Sequence, residues 1–423
     1  MKKSEYKTIN GVERIRERLG CPICQEIARR NNNGGEDVFK KQCHSHAITN
    51  FYQKIISENG NYIYHLDKRH KDFSNFLYKK ELIQQSVDGA TAHKLFCSKH
   101  DSSLFSIIEN SSKNGGVAYR YSKKETNENK VKHFIYTFRS FIFSMFEEIY
   151  LLIHHIEKYT NINIRFSNYT QLFCDELFKV LPGNYKIAVN NIKIVDLYYY
   201  KKFCDILFKV DFDSKKLLKL ILFPKSFNDK EKLKDLEYIE SELKILNIKT
   251  KVYKIDKKMD FLACTAINIR FFSNWGCKYY VNTIPGELES FILLAYFDDK
   301  YIPIQYKKNK LIEKISGKLY PNKNKFIESI DKKFQNENKD EFYHFISREL
   351  IIEGDYLVFN KKLKKYLEEE VREEFFKCRT LVKNKKTGQI SGLIINCLYA
   401  IKMKKAKSNC SINLFYGGNN EHS

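Results

Sequence analysis

Four side chains in two pairs carry most of the chemistry that this sequence declares. Cys21-Pro-Ile-Cys24 places two thiols three positions apart. Cys97-Ser-Lys-His100 repeats the gap with a thiol and an imidazole. Thiolate sulfur and imidazole nitrogen are soft-to-borderline donors, and four of them in two such pairs suit a tetrahedral Zn²⁺. A second completion is also open, because Cys43-His44-Ser45-His46 lies between the pairs. Cys21, Cys24, Cys43 and His46 would have the spacing of a finger. Cys21, Cys24, Cys97 and His100 need a longer insertion. The second set is preferred, since Cys97-Ser-Lys-His100 abuts the start of a helix, where a ligand pair is well held. That choice leaves His46 free. Zn²⁺ is the expected cofactor, in a structural role.

The elements around these residues read in order. Residues 1–20 are polar and basic and read as a short helix or arm. Residues 21–48 read as a cysteine knuckle, a turn at Asn31-Asn32-Asn33-Gly34-Gly35 and a strand reaching His46. Residues 50–59 read as a helix, and the alternation in Asn61-Tyr62-Ile63-Tyr64-His65-Leu66 predicts a strand. Residues 67–95 read as a polar excursion. Asp101 stands at an N-cap position before a short helix whose apolar face is Leu104, Phe105 and Ile108. A knuckle, a hairpin and a helix carrying the second pair give the order of a zinc treble clef.

Beyond residue 110 the sequence shows architecture without named chemistry. Residues 111–130 are rich in Ser, Asn, Lys and Gly and read as a linker. Phe134, Phe138, Phe141, Ile142, Met145, Ile149, Leu152, Ile153 and Ile156 recur at helical steps and predict a long helix over 131–159 with an apolar stripe. Residues 228–246 predict a charged helix. Four apolar runs between 250 and 297 predict successive strands of an antiparallel sheet, with a turn at Ile284-Pro285-Gly286. The remainder reads as helical, most clearly over 361–377. The expected fold class is therefore α+β. A zinc treble clef over 1–110 and a linker over 111–130 precede a larger domain of helices with an antiparallel sheet over 131–423.

Composition bounds the partners. The 423 residues carry 74 Lys+Arg against 51 Asp+Glu, a formal net charge of +23. Such a balance favours polyanions, nucleic acid first and anionic membrane second, although an AT-rich coding bias also raises lysine. Basic runs at 307–310, 361–365, 383–386 and 402–405 would track phosphates, or else form solvated faces. The chain opens on Met1-Lys2-Lys3 and polar residues, and no apolar run reaches the ~18 residues of a membrane span. A cytoplasmic protein is expected, in which the eleven cysteines stay reduced and clustered ones bind metal.

The order C-x2-C, Ser45-His46-Ala47-Ile48 and Phe96-Cys97-x-x-His100-Asp101-x-x-Leu104-Phe105-x-x-Ile108-Glu109 resembles a family of uncharacterised bacterial zinc-binding proteins. That resemblance covers 21–109 and extends weakly to Arg139 and to Tyr280-Val-Asn-Thr-Ile-Pro285. The zinc region alone is distantly similar to the HNH, or His-metal finger, nucleases. This similarity implies a metal-dependent DNA endonuclease, with bacterial defence as its setting. His46 would be the general base and His44 its neighbour. Asp101 would be a ligand of a catalytic Mg²⁺ or Mn²⁺, and an Asn such as Asn59, Asn61 or Asn75 would orient the base. A non-enzymatic reading stands beside it: the zinc unit is a structural clamp and 131–423 binds a protein partner. Other patterns are weaker. Asp211-Phe-Asp213 and Asp298-Asp299 are paired carboxylates. Adjacent His154 and His155 point about 100° apart on a helix and suit no shared ion. Gly115-Gly116 lacks the context of a phosphate loop.

Overall fold

The structure, a computed structural model, describes residues 12, 14–31, 42–57, 60–65, 81–109, 126–160, 179–181, 189, 196–224, 230–255, 258–272, 275–285, 289–297, 323–335, 339–354, 356–376 and 410–415. Asn59, Asn75, the Gly115-Gly116 pair, Asp298-Asp299, residues 32–35 of the expected turn and the basic runs at 307–310, 383–386 and 402–405 lie outside this set. So does the expected linker, except for residues 126–130.

Helices and antiparallel strands are both present, as an α+β chain requires. Two compact units form: residues 1–51, 69–71 and 88–248, and residues 52–68, 72–87 and 249–423. This division differs from the expected one. The long helix beginning near 131 belongs with the ligand pairs, whereas residues 52–68 and 72–87 belong with the sheet.

The first unit contains α1 (Pro22–Arg30), β1 (His44–His46), the start of α2 (Asn50–Ile56), β4 (Ala92–Lys94), α3 (Ser98–Glu109), α4 (Asn127–Thr160), α5 (Leu197–Phe208), α6 (Ser214–Leu222) and α7 (Lys230–Leu246). β1 and β4 form a two-stranded antiparallel pair in the register Ser45↔His93 and His46↔Ala92. α4 is the axis of this unit. Its apolar residues recur as expected, but burial is not confined to a stripe, since nearly every residue from Val131 to Tyr150 is buried. A helix apolar on one face and still buried all round must satisfy its polar groups internally. The ion pairs do so. Arg16 reaches Glu147 at 2.5 Å, and Arg139 reaches Glu109 at 2.7 Å. The apolar contacts are aromatic: Phe134, Phe138 and Phe141 surround Phe203 of α5 at 5.0–5.3 Å, and Phe143 meets Phe96 beside the second ligand pair at 6.0 Å. These contacts explain why the long helix groups with the ligands.

The second unit is built on a seven-stranded sheet. Its strands are β2 (Tyr62–His65), β3 (Ile83–Ser86), β5 (Ile248–Ile255), β6 (Phe261–Phe272), β7 (Trp275–Ile284), β8 (Ser290–Phe297) and β9 (Leu357–Phe359), in the order β3-β2-β9-β6-β7-β8-β5. The expected four-strand run appears as β5 to β8, and β6, β7 and β8 pair antiparallel in succession. β3 and β9 were not expected. β3 falls in the stretch read as a polar excursion, as does β4 of the first unit. α8 (Lys323–Gln335) and α9 (Asp340–Glu353) supply Ile330, Phe342, Ile346 and Leu350 to the core against Tyr253, Phe261, Val281 and Leu294. The helix expected over 361–377 is interrupted. α10 (Lys361–Lys365) runs into a π turn at Tyr366–Glu370, and Val371 breaks the spiral before residues 372–376 resume it.

Candidate metal centre

Cys21 and Cys24 do not occupy an isolated knuckle. Cys21 is the N-cap residue of α1, Pro22 takes the first helical position, and Cys24 falls in the first turn. The second pair has the same placement. Cys97 immediately precedes α3 and His100 lies in its first turn. Two helix N-termini, each carrying a partial positive charge, thus present their donors to one point. The same start corrects the reading of Asp101. α3 begins four residues earlier than an Asp101 cap would require, and the Asp101 amide instead donates to the Cys97 carbonyl at 3.0 Å.

All four side chains are buried, and their ligand atoms lie within 4.8 Å of one another. The Nδ1 of His100 is 3.5 Å from Cys21 Sγ, 3.4 Å from Cys24 Sγ and 3.3 Å from Cys97 Sγ. Cys24 and Cys97 sulfurs are 3.7 Å apart. A tetrahedron with Zn–S of about 2.3 Å and Zn–N of about 2.05 Å has S···S edges of about 3.8 Å and S···N edges of about 3.5 Å. The group therefore has the donors and the spacing to hold a metal such as zinc. Electrostatics agree with this. Burial holds the Cys21 thiol protonated. The Cys97 thiol is pushed toward its thiolate by hydrogen bonds from Cys21, Cys24 and His100. A divalent cation is the partner that would let several buried thiolates coexist.

The alternative set does not assemble. Cys43 stands half-buried with its sulfur 3.8 Å from the Ser45 hydroxyl, and His46 directs Nδ1 to the Ala90 carbonyl at 3.4 Å. Among the described residues the grouped metal-binding side chains are Cys21, Cys24, Cys97 and His100 alone.

Several residues outside the pairs hold them in place. Gln42 spans the two arms: its Nε2 donates to the Gly20 carbonyl at 2.6 Å and to the Leu95 carbonyl at 3.1 Å. Gly20 needs its freedom here, since its φ is +67° at the turn into Cys21. Ser45 accepts from the Phe96 amide at 3.3 Å, and the Cys43 amide donates to the Phe96 carbonyl at 2.8 Å. Tyr200 of α5 donates to the Pro22 carbonyl at 3.2 Å. Of these only Ser45 belongs to a pattern visible in the sequence. A glutamine that bridges two carbonyls has no local signature.

Two of the residues expected to do nuclease chemistry, His46 and Asp101, lie near a buried guanidinium. Arg139 of α4 donates from Nε and Nη2 to the His46 carbonyl at 3.0 and 2.5 Å, donates to Glu109 at 2.7 Å and lies over the Phe105 ring at 4.5 Å. The His46 imidazole is lowered to a pKa of about 4, by burial and then by the Arg139 charge, so it is neutral at pH 7 and only weakly basic. Asp101 is raised to about 6, chiefly by burial. Arg139 pulls it down, and Glu109 pushes it up. Its Oδ1 is buried with no hydrogen-bond partner. His44 lies in β1, but its side chain is outside the described set. Asn61 stands in the turn before β2, in the second unit. The other carboxylate pair has ordinary work. Asp213 caps α6 by accepting from the Lys215 and Lys216 amides, and Asp211 pairs with Lys216 at 2.6 Å.

Comparison of the chain with known protein families, curated proteins and solved structures finds no match. The resemblance therefore rests on its motifs, and the arrangement of the site must carry the functional argument.

Proposed function

We propose that the first unit is a zinc-clamped, non-catalytic binding module. In it Cys21, Cys24, Cys97 and His100 hold one structural Zn²⁺, and nucleic acid is the class of partner. The observation that carries this is the meeting of two helix N-termini at tetrahedral spacing around a common point. Three protein sulfurs and one nitrogen close a tetrahedral shell, so no position is left for a substrate or a catalytic water. The clamp would tie α1 to α3 across a sequence gap that local structure alone cannot bridge, in the manner of a treble clef whose first pair is helical. The nucleic-acid partner is supported by the net charge of +23. The test is elemental analysis of purified chain beside a cleavage assay. One zinc per chain and intact plasmid in Mg²⁺ and Mn²⁺ are the expected results. A chain that folds without zinc and ignores added zinc sinks the clamp.

One observation favours a second reading, HNH-like DNA cleavage in a defence setting. His46 ends β1, and Asp101 has a buried oxygen with no partner beside the metal group. Against it stands Arg139, a fixed cation bonded to Glu109 where a catalytic Mg²⁺ would have to compete. Cleavage that requires added Mg²⁺ or Mn²⁺ and is lost in His46→Ala with zinc retained would displace the non-catalytic reading.

A further inference from the structure

Asp211-Phe212-Asp213 attracts notice in the sequence as a pair of carboxylates, but the middle residue is the one aimed at the metal group. Phe212 is fully buried, and its ring makes an edge contact with the His100 imidazole at 6.0 Å between centroids, 67° between planes. It also meets Phe208 at 6.3 Å. His100 turns Nδ1 toward all three sulfurs, and Nδ1 can face them only in one ring orientation. The described ring packed against that imidazole is Phe212.

The backbone that delivers Phe212 is strained. Asp211 and Phe212 both adopt left-handed conformations, with φ of +53° and +54°. Two consecutive non-glycine residues in this region are rare, and one of them is a bulky aromatic. The turn ends α5 with a Schellman-type bond, the Phe212 amide donating to the Leu207 carbonyl at 2.8 Å, at a place where glycine is the usual residue. Surrounding bonds hold the strain in place. The Asp211 amide donates to Phe208 and the Asp213 amide to Val210, at 3.1 and 2.9 Å. Asp213 caps α6, and the Ser214 hydroxyl donates to the Ser103 carbonyl and contacts the Ser106 hydroxyl, each at 3.1 Å. The strained turn is thereby riveted to the metal-bearing helix α3.

We infer that Phe212 is a positioning residue of the metal centre: the left-handed turn at Asp211–Phe212 wedges its ring against His100, fixes the Nδ1-inward orientation and closes the site to competing ligands. This rests on the zinc reading above. Backbone strain persists where surrounding structure over-determines it, and here it places a hydrophobic plug that an unstrained helix end would carry elsewhere.

Cobalt-substituted protein tests it, because the visible bands of Co²⁺ report its ligands directly. Wild type is expected to show a tetrahedral three-sulfur, one-nitrogen spectrum that added imidazole does not alter. Phe212→Ala is expected to let imidazole change that spectrum and to release zinc to a chromophoric chelator at least tenfold faster. Phe212→Leu, which keeps bulk and protects against simple misfolding, is expected to fall between. Asp211→Gly, which relieves strain without touching the ring, is expected to keep the wild-type spectrum and release rate. Folded Phe212→Ala and Phe212→Leu proteins with release within twofold of wild type and spectra indifferent to imidazole overturn the inference. Wild type that takes up neither Co²⁺ nor Zn²⁺ fails at the earlier step, and the zinc reading falls instead.

Discussion

A single sulfur decides between the two ligand sets. Cys97 Sγ stands 3.7 Å from Cys24 Sγ and 3.3 Å from His100 Nδ1, whereas the half-buried Cys43 thiol faces a serine hydroxyl. Cys97→Ser replaces a thiolate donor with a poor one and leaves its neighbours without a shared cation. It is expected to reduce bound zinc from one per chain to near zero and to lower the melting temperature. Cys43→Ser is expected to keep full zinc, with stability within about 0.5 kcal/mol of wild type, the usual range for replacements away from buried features. Zinc analysis and thermal melts of both variants check this, and zinc kept in Cys97→Ser but lost in Cys43→Ser would restore the finger set. The four donors were legible because metal geometry fixes which residue types can serve and the x2 gap brings a pair to one point. Their supports were not. Gln42, Tyr200 and Phe212 act through contacts across 22 to 53, 178 and 112 residues of chain respectively, which no local spacing encodes.

α4 shows what periodicity reveals and what it hides. Its apolar repeat at three- and four-residue steps placed a long helix correctly, since that repeat follows from helical geometry. It could not show that the opposite face is also covered, because His133, Arg139 and Glu147 look solvated until their partners are known. β3, β4 and β9 run for only three or four residues without a clear apolar alternation, so tertiary pairing alone defines them. Arg139 joins α4 to the end of β1 and the end of α3. Arg139→Met would remove one donor from the His46 carbonyl and from the Glu109 carboxylate, and is expected to cost about 3 kcal/mol in chemical denaturation. Arg139→Lys keeps the charge but not the fork, and is expected to recover only part of it. A loss below about 1 kcal/mol in Arg139→Met would show that the guanidinium is not a linchpin. The same unit should be acid-sensitive. Burial lowers His133 and His155 of α4 and His46 of β1 to pKa values of about 4. An unfolded histidine titrates near 6.5, so between pH 6.5 and about 4 the unfolded chain binds more protons, and stability falls as pH falls through this window. Each such proton contributes about 1.4 kcal/mol per pH unit. Asp101, raised to about 6, works the other way and offsets part of the loss. Denaturation midpoints that stay level from pH 6.5 to 4.5 would contradict this balance.

The whole molecule is strongly basic, and that property belongs to no single element. The excess of 74 Lys+Arg over 51 Asp+Glu is not explained by internal pairing, since the structure already matches many acidic groups to lysine and arginine partners and the surplus remains. Coding bias toward lysine would give the same total, so the charge alone does not choose between a binding surface and a solvated one. Salt dependence does choose. A protein that neutralises phosphates releases condensed counterions, and its observed association constant falls as a power of salt concentration, with a slope of about 0.9 per phosphate contacted on duplex DNA. The expectation is binding to duplex DNA at low salt that weakens steeply between 50 and 200 mM, by about 10³-fold or more if six phosphates are engaged. The binding should survive Cys43→Ser. It should weaken in Cys97→Ser if the zinc unit shapes the surface, and persist there if the charge lies on the sheet unit alone. A gel shift or anisotropy titration across that salt range supplies the slope. If the chain does not bind duplex or single-stranded DNA, or RNA, even at low salt, nucleic acid is not the partner, lysine-rich coding accounts for the charge, and the zinc-clamped unit is left as a site for proteins.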